Sequence, residues 1–166
     1  MQAFAESLSV TPLSFFIQQE LWVIPWLQIV HIVALALVFG SVFMIDARIL
    51  GLTGRSQTMT QTARRFIPWV WIGTVVLAIS GSLLIIGEPV RSLLNPFFWI
   101  KMTLLAIALI STAAFQTSLN RNPAFWEEDH AWRGYIRILA VVALLVWCGI
   151  IVAGRFIAYI ENFAVY

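Results

Sequence analysis

Residues 21–45 read LWVIPWLQIVHIVALALVFGSVFMI, a run of 25 residues without Asp, Glu, Lys or Arg between Glu20 and Asp46. About 20 apolar residues are enough to cross the roughly 30 Å hydrocarbon core of a bilayer as a helix. A single strand in lipid would leave its backbone hydrogen bonds unsatisfied, whereas a helix satisfies them within the segment. This stretch therefore predicts a helical membrane span.

Three further charge-poor windows follow, and we take the four spans as about 21–45, 66–87, 97–120 and 136–160. Breakers such as Gly51, Pro96 and Pro123 lie in the connections between them. Connections this short make neighbouring spans antiparallel. Residues 21–166 are therefore predicted to form an all-α, up-down four-helix bundle in the membrane, preceded by residues 1–20 as an outer-side segment.

The composition agrees with a membrane protein. Of the 166 residues, 61% are hydrophobic and 11% are charged, against about 25% charged in an average soluble domain. This excludes a cytoplasmic enzyme, and because Cys148 is the only cysteine it also excludes a disulfide scaffold. The net charge of +2 comes from basic residues that form no patch. We therefore expect the lipid bilayer, and no nucleic acid, as a partner.

The distribution of basic residues sets the orientation. The first and third connections hold seven of the ten: Arg48, Arg55, Arg64, Arg65, Arg121, Arg133 and Arg137. Basic loops stay on the cytoplasmic side, so both termini are predicted to be periplasmic in a bacterial inner membrane. Thr11 and Pro12 resemble a helix start, so Pro12 to Glu20 is predicted to be a short interfacial helix or an extension of the first span.

His31 lies ten residues inside the first span, where an ionisable side chain is costly and commonly marks a site. One hypothesis is that it is a haem ligand, a metal ligand or a proton-relay group. The alternative is a neutral imidazole that hydrogen-bonds between helices. No second histidine lies within the spans, so a haem would be five-coordinate, would use Met44, Met102 or Gln116 as well, or would lie between subunits.

Lys101 and Arg155 are both expected near the outer ends of their spans. With His31 they would form an anion clamp, for example for the propionates of a haem. The alternative is that both long side chains only anchor the helices at the interface.

Charged residues also mark the inner side. Asp46 is predicted to join a structural ion-pair network at the inner end, with Arg48, Arg64 or Arg65. The run from Glu127 to His130 is predicted to be a solvated cap of the fourth helix.

Several segments together resemble a family of four-helix bacterial membrane proteins of unknown function. The segments are Trp22-x-x-Pro25, His31, Gly40-Ser41, Asp46-x-Arg48-x-Leu50-Gly51, Phe98-x-x-Lys101 and Gly154-Arg155-Phe156-Ile157-Ala158-Tyr159. More distantly, the pattern is similar to the superfamily of copper resistance protein D and the HemJ-type, haem-containing protoporphyrinogen oxidase. That likeness implies haem binding through His31 and Lys101. It also implies that Gly40 and Arg48 match a glycine and an arginine that these proteins share in the first helix.

Three functional hypotheses follow from the sequence. The first is a b-type haem redox protein with His31 as ligand and with Lys101 and Arg155 pairing the propionates. The second is a non-enzymatic accessory subunit or homo-oligomer in which His31 is structural. The third is transport of a small solute or copper along the bundle axis. No nucleotide-binding or hydrolytic motif occurs in the sequence.

Overall fold

The computed structural model describes residues 1–53, 56–127 and 132–159. These ranges are helical, with no strand, and the helices are α1 (Gln2–Ser9), α2 (Pro12–Gln19), α3 (Val23–Ile49), α4 (Met59–Gly87), α5 (Pro89–Leu93), α6 (Pro96–Arg121), α7 (Pro123–Glu127) and α8 (Arg133–Tyr159). The helices α3, α4, α6 and α8 are long and apolar enough to cross a membrane. The predicted all-α membrane fold of four long helices is confirmed. Arg55, His130 and Ile160 lie outside the described residues.

The long helices extend beyond the charge-free windows. Their ends are set by capping interactions and not by the edges of the hydrocarbon core of the bilayer. At the start of α4, the Thr58 side chain accepts from the Gln61 backbone N–H, and the Gln61 side chain accepts from the Thr58 N–H. At the start of α6, the Asn95 side chain accepts from the Phe97 N–H. At the end of α3, Gly51 has φ +78°, a conformation that glycine adopts without strain.

The bundle consists of two tight antiparallel pairs, α3 with α4 and α6 with α8. The pairs meet mainly through α3 and α8, whereas α4 and α6 touch only sparsely. All four helices contribute to the central core, whose buried members are Ala34, Val38, Val42, Val70, Leu77, Ala108, Trp147 and Ile150. The core therefore holds the pairs together at mid-depth, while the side between α4 and α6 is less closed.

The N-terminal helices pack on one end of the bundle, which we call the outer end after the predicted orientation, and we call the opposite end the inner end. The Oγ of Ser14, a fully buried residue of α2, donates a hydrogen bond of 2.6 Å to the Ile86 carbonyl. Gly87 makes room for α2, because a Cβ there would lie 2.7 Å from Ile17 Cγ2. Thr11 caps α2 at its start. The structure thus has α2 as a separate helix docked on α4, and it adds α1, which the sequence did not indicate.

At the inner end, the described residues contain no ion pair between Asp46 and the three arginines proposed as its partners. Asp46 is buried and its Oδ2 accepts no hydrogen bond from them. Arg48 donates from Nε and Nη2 to the Gln57 carbonyl at 3.0 and 2.8 Å, and Arg64 and Arg65 are exposed. Residues two apart on a helix point in different directions. Arg48 therefore faces the connection while Asp46 faces the bundle.

The close approach of α3 and α4 depends on Gly73. A Cβ at this position would lie 2.5 Å from Val38 Cγ2 and 3.4 Å from the Ala34 carbonyl oxygen. We expect Gly73→Ala to lower the free energy of unfolding in detergent by about 1–3 kcal/mol, because the fully buried Val38 cannot move aside without strain. Thermal or denaturant unfolding measures this effect.

Gly40→Ala is the matched control, because nothing lies within 4 Å of a Cβ at Gly40. It should leave stability unchanged or slightly raised, since alanine favours a helix over glycine. Adding Val38→Ala to Gly73→Ala should recover part of the loss. Equal effects of the two glycine substitutions would contradict the close approach.

Candidate functional site

His31 is held on α4 by a hydrogen bond that crosses between helices. Its Nδ1 lies 2.8 Å from the Oγ of buried Ser80, and that hydroxyl donates a bond of 2.7 Å to the Val76 carbonyl. A hydroxyl has one proton, so both bonds form together only if the imidazole donates from Nδ1. The hydrogen-bond pattern therefore assigns the proton to Nδ1 and leaves a lone pair on Nε2.

The neighbouring glycine lets the imidazole lie flat against α4. A Cβ at Gly81 would be 3.3 Å from His31 Cε1 and 3.8 Å from Nδ1. The first distance is tighter than an ordinary van der Waals contact, so even alanine would press on the ring. Gly81 thus restricts the position of the imidazole by steric contact, while Ser80 orients it by a hydrogen bond.

The Lys101 side chain lies across the bundle at the level of this histidine. A Cβ at Gly154 would be 3.6 Å from Lys101 Nζ and 3.8 Å from Cε, so the lysine packs over the bare backbone of α8. Within the described ranges, no Asp or Glu lies within ion-pairing distance of the ammonium. The site therefore combines an acceptor nitrogen with a cation that has no carboxylate partner in the part of the chain that the structure describes.

These residues share a depth in the outer half of the bundle. His31 is eight residues inside the outer end of α3, and Ser80 is seven residues inside the outer end of α4. Lys101 and Gly154 are each five residues inside the outer ends of α6 and α8. At about 1.5 Å per residue, all lie roughly 8–12 Å below the helix ends. Each of the four long helices contributes to this outer polar site, which we define as His31, Ser80, Gly81, Lys101 and Gly154.

Arg155 does not join the outer polar site. Its side chain is exposed, its guanidinium carbon lies 4.4 Å from the centre of the Tyr159 ring, and Nη2 donates to the Tyr159 hydroxyl. The structure thus places two members of the predicted clamp, His31 and Lys101, at a similar depth, and the third, Arg155, on the surface of α8.

The other candidate iron ligands also lie away from His31. The Gln116 side-chain oxygen accepts a hydrogen bond of 2.8 Å from the Trp71 indole. Trp71 precedes Ser80 by nine residues on α4, which is about 14 Å along the axis. Met44 follows His31 by thirteen residues on α3, about 20 Å away, while Met102 is partly exposed next to Lys101. Of the ligand candidates His31, Gln116, Met44 and Met102, the structure thus places His31 in the outer polar site.

Ser80 is the partner that sequence reasoning missed. The run Ser80-Gly81-Ser82 was notable only for its small residues, which allow close helix packing. Ser80 lies seven residues before the end of the second predicted span, and His31 lies ten residues after the start of the first. In an antiparallel hairpin, distances that differ by less than one helical turn place residues at a similar depth, and that signal could have suggested the pair.

We expect Ser80→Ala to destabilise the protein by about 0.5–1 kcal/mol, the range typical of interhelical hydrogen bonds in membranes. The matched control is Ser82→Ala, because exposed Ser82 donates only within its own helix, to the Ala78 carbonyl. Unfolding in detergent compares the two variants. A Ser82→Ala loss as large as that of Ser80→Ala would contradict the importance of the cross-helix bond.

Comparison with known proteins places the chain in a family but attaches no activity to it. A model described as a family of unknown function, DUF6644, matches residues 22–160. This range contains the outer polar site and leaves α1 and α2 outside. No curated protein and no solved structure matches the chain. The chain is a multi-pass membrane protein of four long helices, and it belongs to the family of unknown function DUF6644.

Proposed function

We propose that this protein binds haem b at the outer polar site and serves as a redox protein of the membrane. His31 Nε2 would bind the haem iron, and the Lys101 ammonium would pair with a propionate. The observation that carries the proposal is the hydrogen-bond chain from His31 through Ser80 to the Val76 carbonyl, which leaves Nε2 free to accept. Metal-ligating histidines usually donate their other ring N–H to an acceptor, which fixes the ring and raises its basicity.

The charges of the site also suit haem. A cation at membrane depth is costly without a countercharge. Residues 1–53, 56–127 and 132–159 supply no carboxylate to Lys101, and a propionate would supply one. Within one subunit, Gln116 and Met44 would not be second ligands to the iron, because both lie toward the inner end. The haem would supply one-electron chemistry, and the protein would supply the ligand, the orientation and the charge. Arg155 has no part in this proposal, since its side chain lies over Tyr159.

We further propose the bacterial inner membrane as the location, with both termini in the periplasm. The ends of α3 and α6 and the starts of α4 and α8 lie on one side, together with Arg48, Arg64 and Arg133. The opposite side has α1, α2 and fewer basic residues. The positive-inside rule makes the arginine-rich side cytoplasmic. The outer polar site would then lie toward the periplasmic leaflet.

A structural role for His31 is the second candidate function, and the same bond to Ser80 favours it. In that case the protein is an accessory subunit or a homo-oligomer. The exposed surface of α6 suits such contacts, because this helix is the least buried of the four. Copper transport gains no support, since no three His, Cys, Asp or Glu side chains converge within the described ranges.

The absorption spectrum of the purified protein tests the proposal. Protein produced with haem supplementation and purified in detergent should show a Soret band. His31→Ala should abolish that band by removing the iron ligand. Lys101→Met should weaken haem binding by about tenfold, since a charge-assisted contact contributes about 1.5–3 kcal/mol. Arg155→Met, the matched control for removal of a cation, should bind haem as the unmodified protein does.

Ser80→Ala separates ligation from packing, because it removes the interhelical bond and keeps Nε2. It should retain the Soret band with weaker binding. A well-folded protein that stays colourless after haem supplementation would reject the haem proposal and favour the structural role. Metal analysis of the same sample tests for copper.

A further inference from the structure

We propose that the outer polar site takes amphiphilic carboxylic acids directly from the outer leaflet, through an opening between α4 and α6. The inference rests on the site of the proposed function and extends it to a ligand class and a route of entry. Haem b belongs to this class, since it carries two propionates on a flat apolar ring. A long-chain fatty acid is the simplest member.

One hydrogen bond between α4 and α6 lies on the inner side of the outer polar site. There the Trp71 indole donates a 2.8 Å hydrogen bond to Gln116. Nearby, the Trp126 indole donates to Ser118 Oγ at 3.1 Å, which fastens α7 to the same end of α6. The Trp71–Gln116 bond thus joins α4 to α6 below the level of His31.

Toward the outer leaflet, the same face of α4 is uncovered. Ala78 and Ser82 follow Trp71 by seven and eleven residues, and both spacings return to nearly the same side of a helix with 3.6 residues per turn. Both residues are exposed, so α6 does not cover them. Ser82 is adjacent to Gly81, against which the His31 ring lies. The uncovered face therefore reaches the depth of the outer polar site.

The outer end of α4, above the site, is covered by other helices. Ser14 and Ile17 of α2 pack on Ile86 and Gly87, and α1 packs against α5. These contacts cover α4 on the aqueous side. The side between α4 and α6 is the open direction, and in a membrane it faces lipid.

The charge of Lys101 determines which head group the ligand must have. Its side chain lies over Gly154 at the depth of His31. A long lysine near a helix end can extend its ammonium toward the lipid headgroups, where water solvates it. The Lys101 side chain lies over Gly154 instead and loses that solvation. The ammonium, about 8 Å below the end of α6, needs a countercharge that can descend to it. The carboxylate of a single-chain amphiphile can do so while its tail remains among lipid chains.

Photolabelling in lipid nanodiscs tests this inference. The probe is a stearic acid analogue with a diazirine in its chain, added to haem-free protein in phosphatidylcholine. We expect unlabelled stearic acid to suppress the labelling and stearyl alcohol to leave it unchanged. Lys101→Met should reduce the labelling by about tenfold, whereas Arg155→Met should not change it. Loss of the preference for the acid over the alcohol, or full labelling of Lys101→Met, would overturn the ligand class.

A pair of adjacent tryptophan substitutions tests the route. Ala78→Trp should block labelling because it fills the opening. Ile79→Trp adds similar bulk at the same depth, but Ile79 is 60% exposed and points about 100° away on the helix, so labelling should persist. If Ala78→Trp does not fold, Ser82→Trp serves as the second variant that should block labelling. Equal labelling of the blocking and control variants would overturn entry between α4 and α6.

The haem proposal can fail separately. Labelling that follows these expectations in a protein without a Soret band would support the acid site and reject haem as its occupant. A haem-loaded protein whose haem-free form shows no acid-specific labelling would overturn the inference and leave the haem proposal standing.

Discussion

The hydrogen bond between His31 and Ser80 is the contact on which the rest of the outer half depends. Most hydroxyls in the spans return to their own helix, as Thr74 does to Val70 and Thr112 does to Ala108. Such bonds satisfy the side chain without joining helices. The bond from His31 instead joins α3 to α4, and it forms because Gly73 and Gly81 let these helices approach closely. It is at once a packing contact and the feature that leaves Nε2 as an acceptor.

Two ionisable side chains within the long helices have no ion-pair partner among the described residues. Lys101 in the outer half has no carboxylate among the described residues, and Asp46 at the inner end has no donor to its Oδ2 there. Charges in lipid are expensive unless paired. The two are far apart in depth and cannot offset each other. The Lys101 ammonium lies at the depth of His31 and has no carboxylate partner among the described residues, which is why the ligand proposals centre on Lys101.

The fold was largely predictable, because apolar windows bounded by charges determine where helices must cross a bilayer. The shared depth of His31 and Lys101 was predictable for the same reason, since depth follows from counting residues along straight helices. The direction of a side chain around its helix was harder to predict. Arg155 is at the expected depth but faces outward, and Arg48 turns to Gln57 rather than to Asp46. Hydropathy contains no information on rotation, which is set by interhelical packing around residues such as Gly73 and Gly154.

The core also bears on the choice between binding and transport. On α3, Ala34, Val38 and Val42 follow His31 toward the inner side and are buried against Leu77 and Trp147. This apolar layer separates the outer polar site from Asp46. A solute path along the axis would require the layer to open, and core side chains packed this tightly do not part without cost. Ligand binding from the outer leaflet needs no such opening. The arrangement of polar residues above an apolar core therefore favours a site reached from one side of the membrane over a path through it.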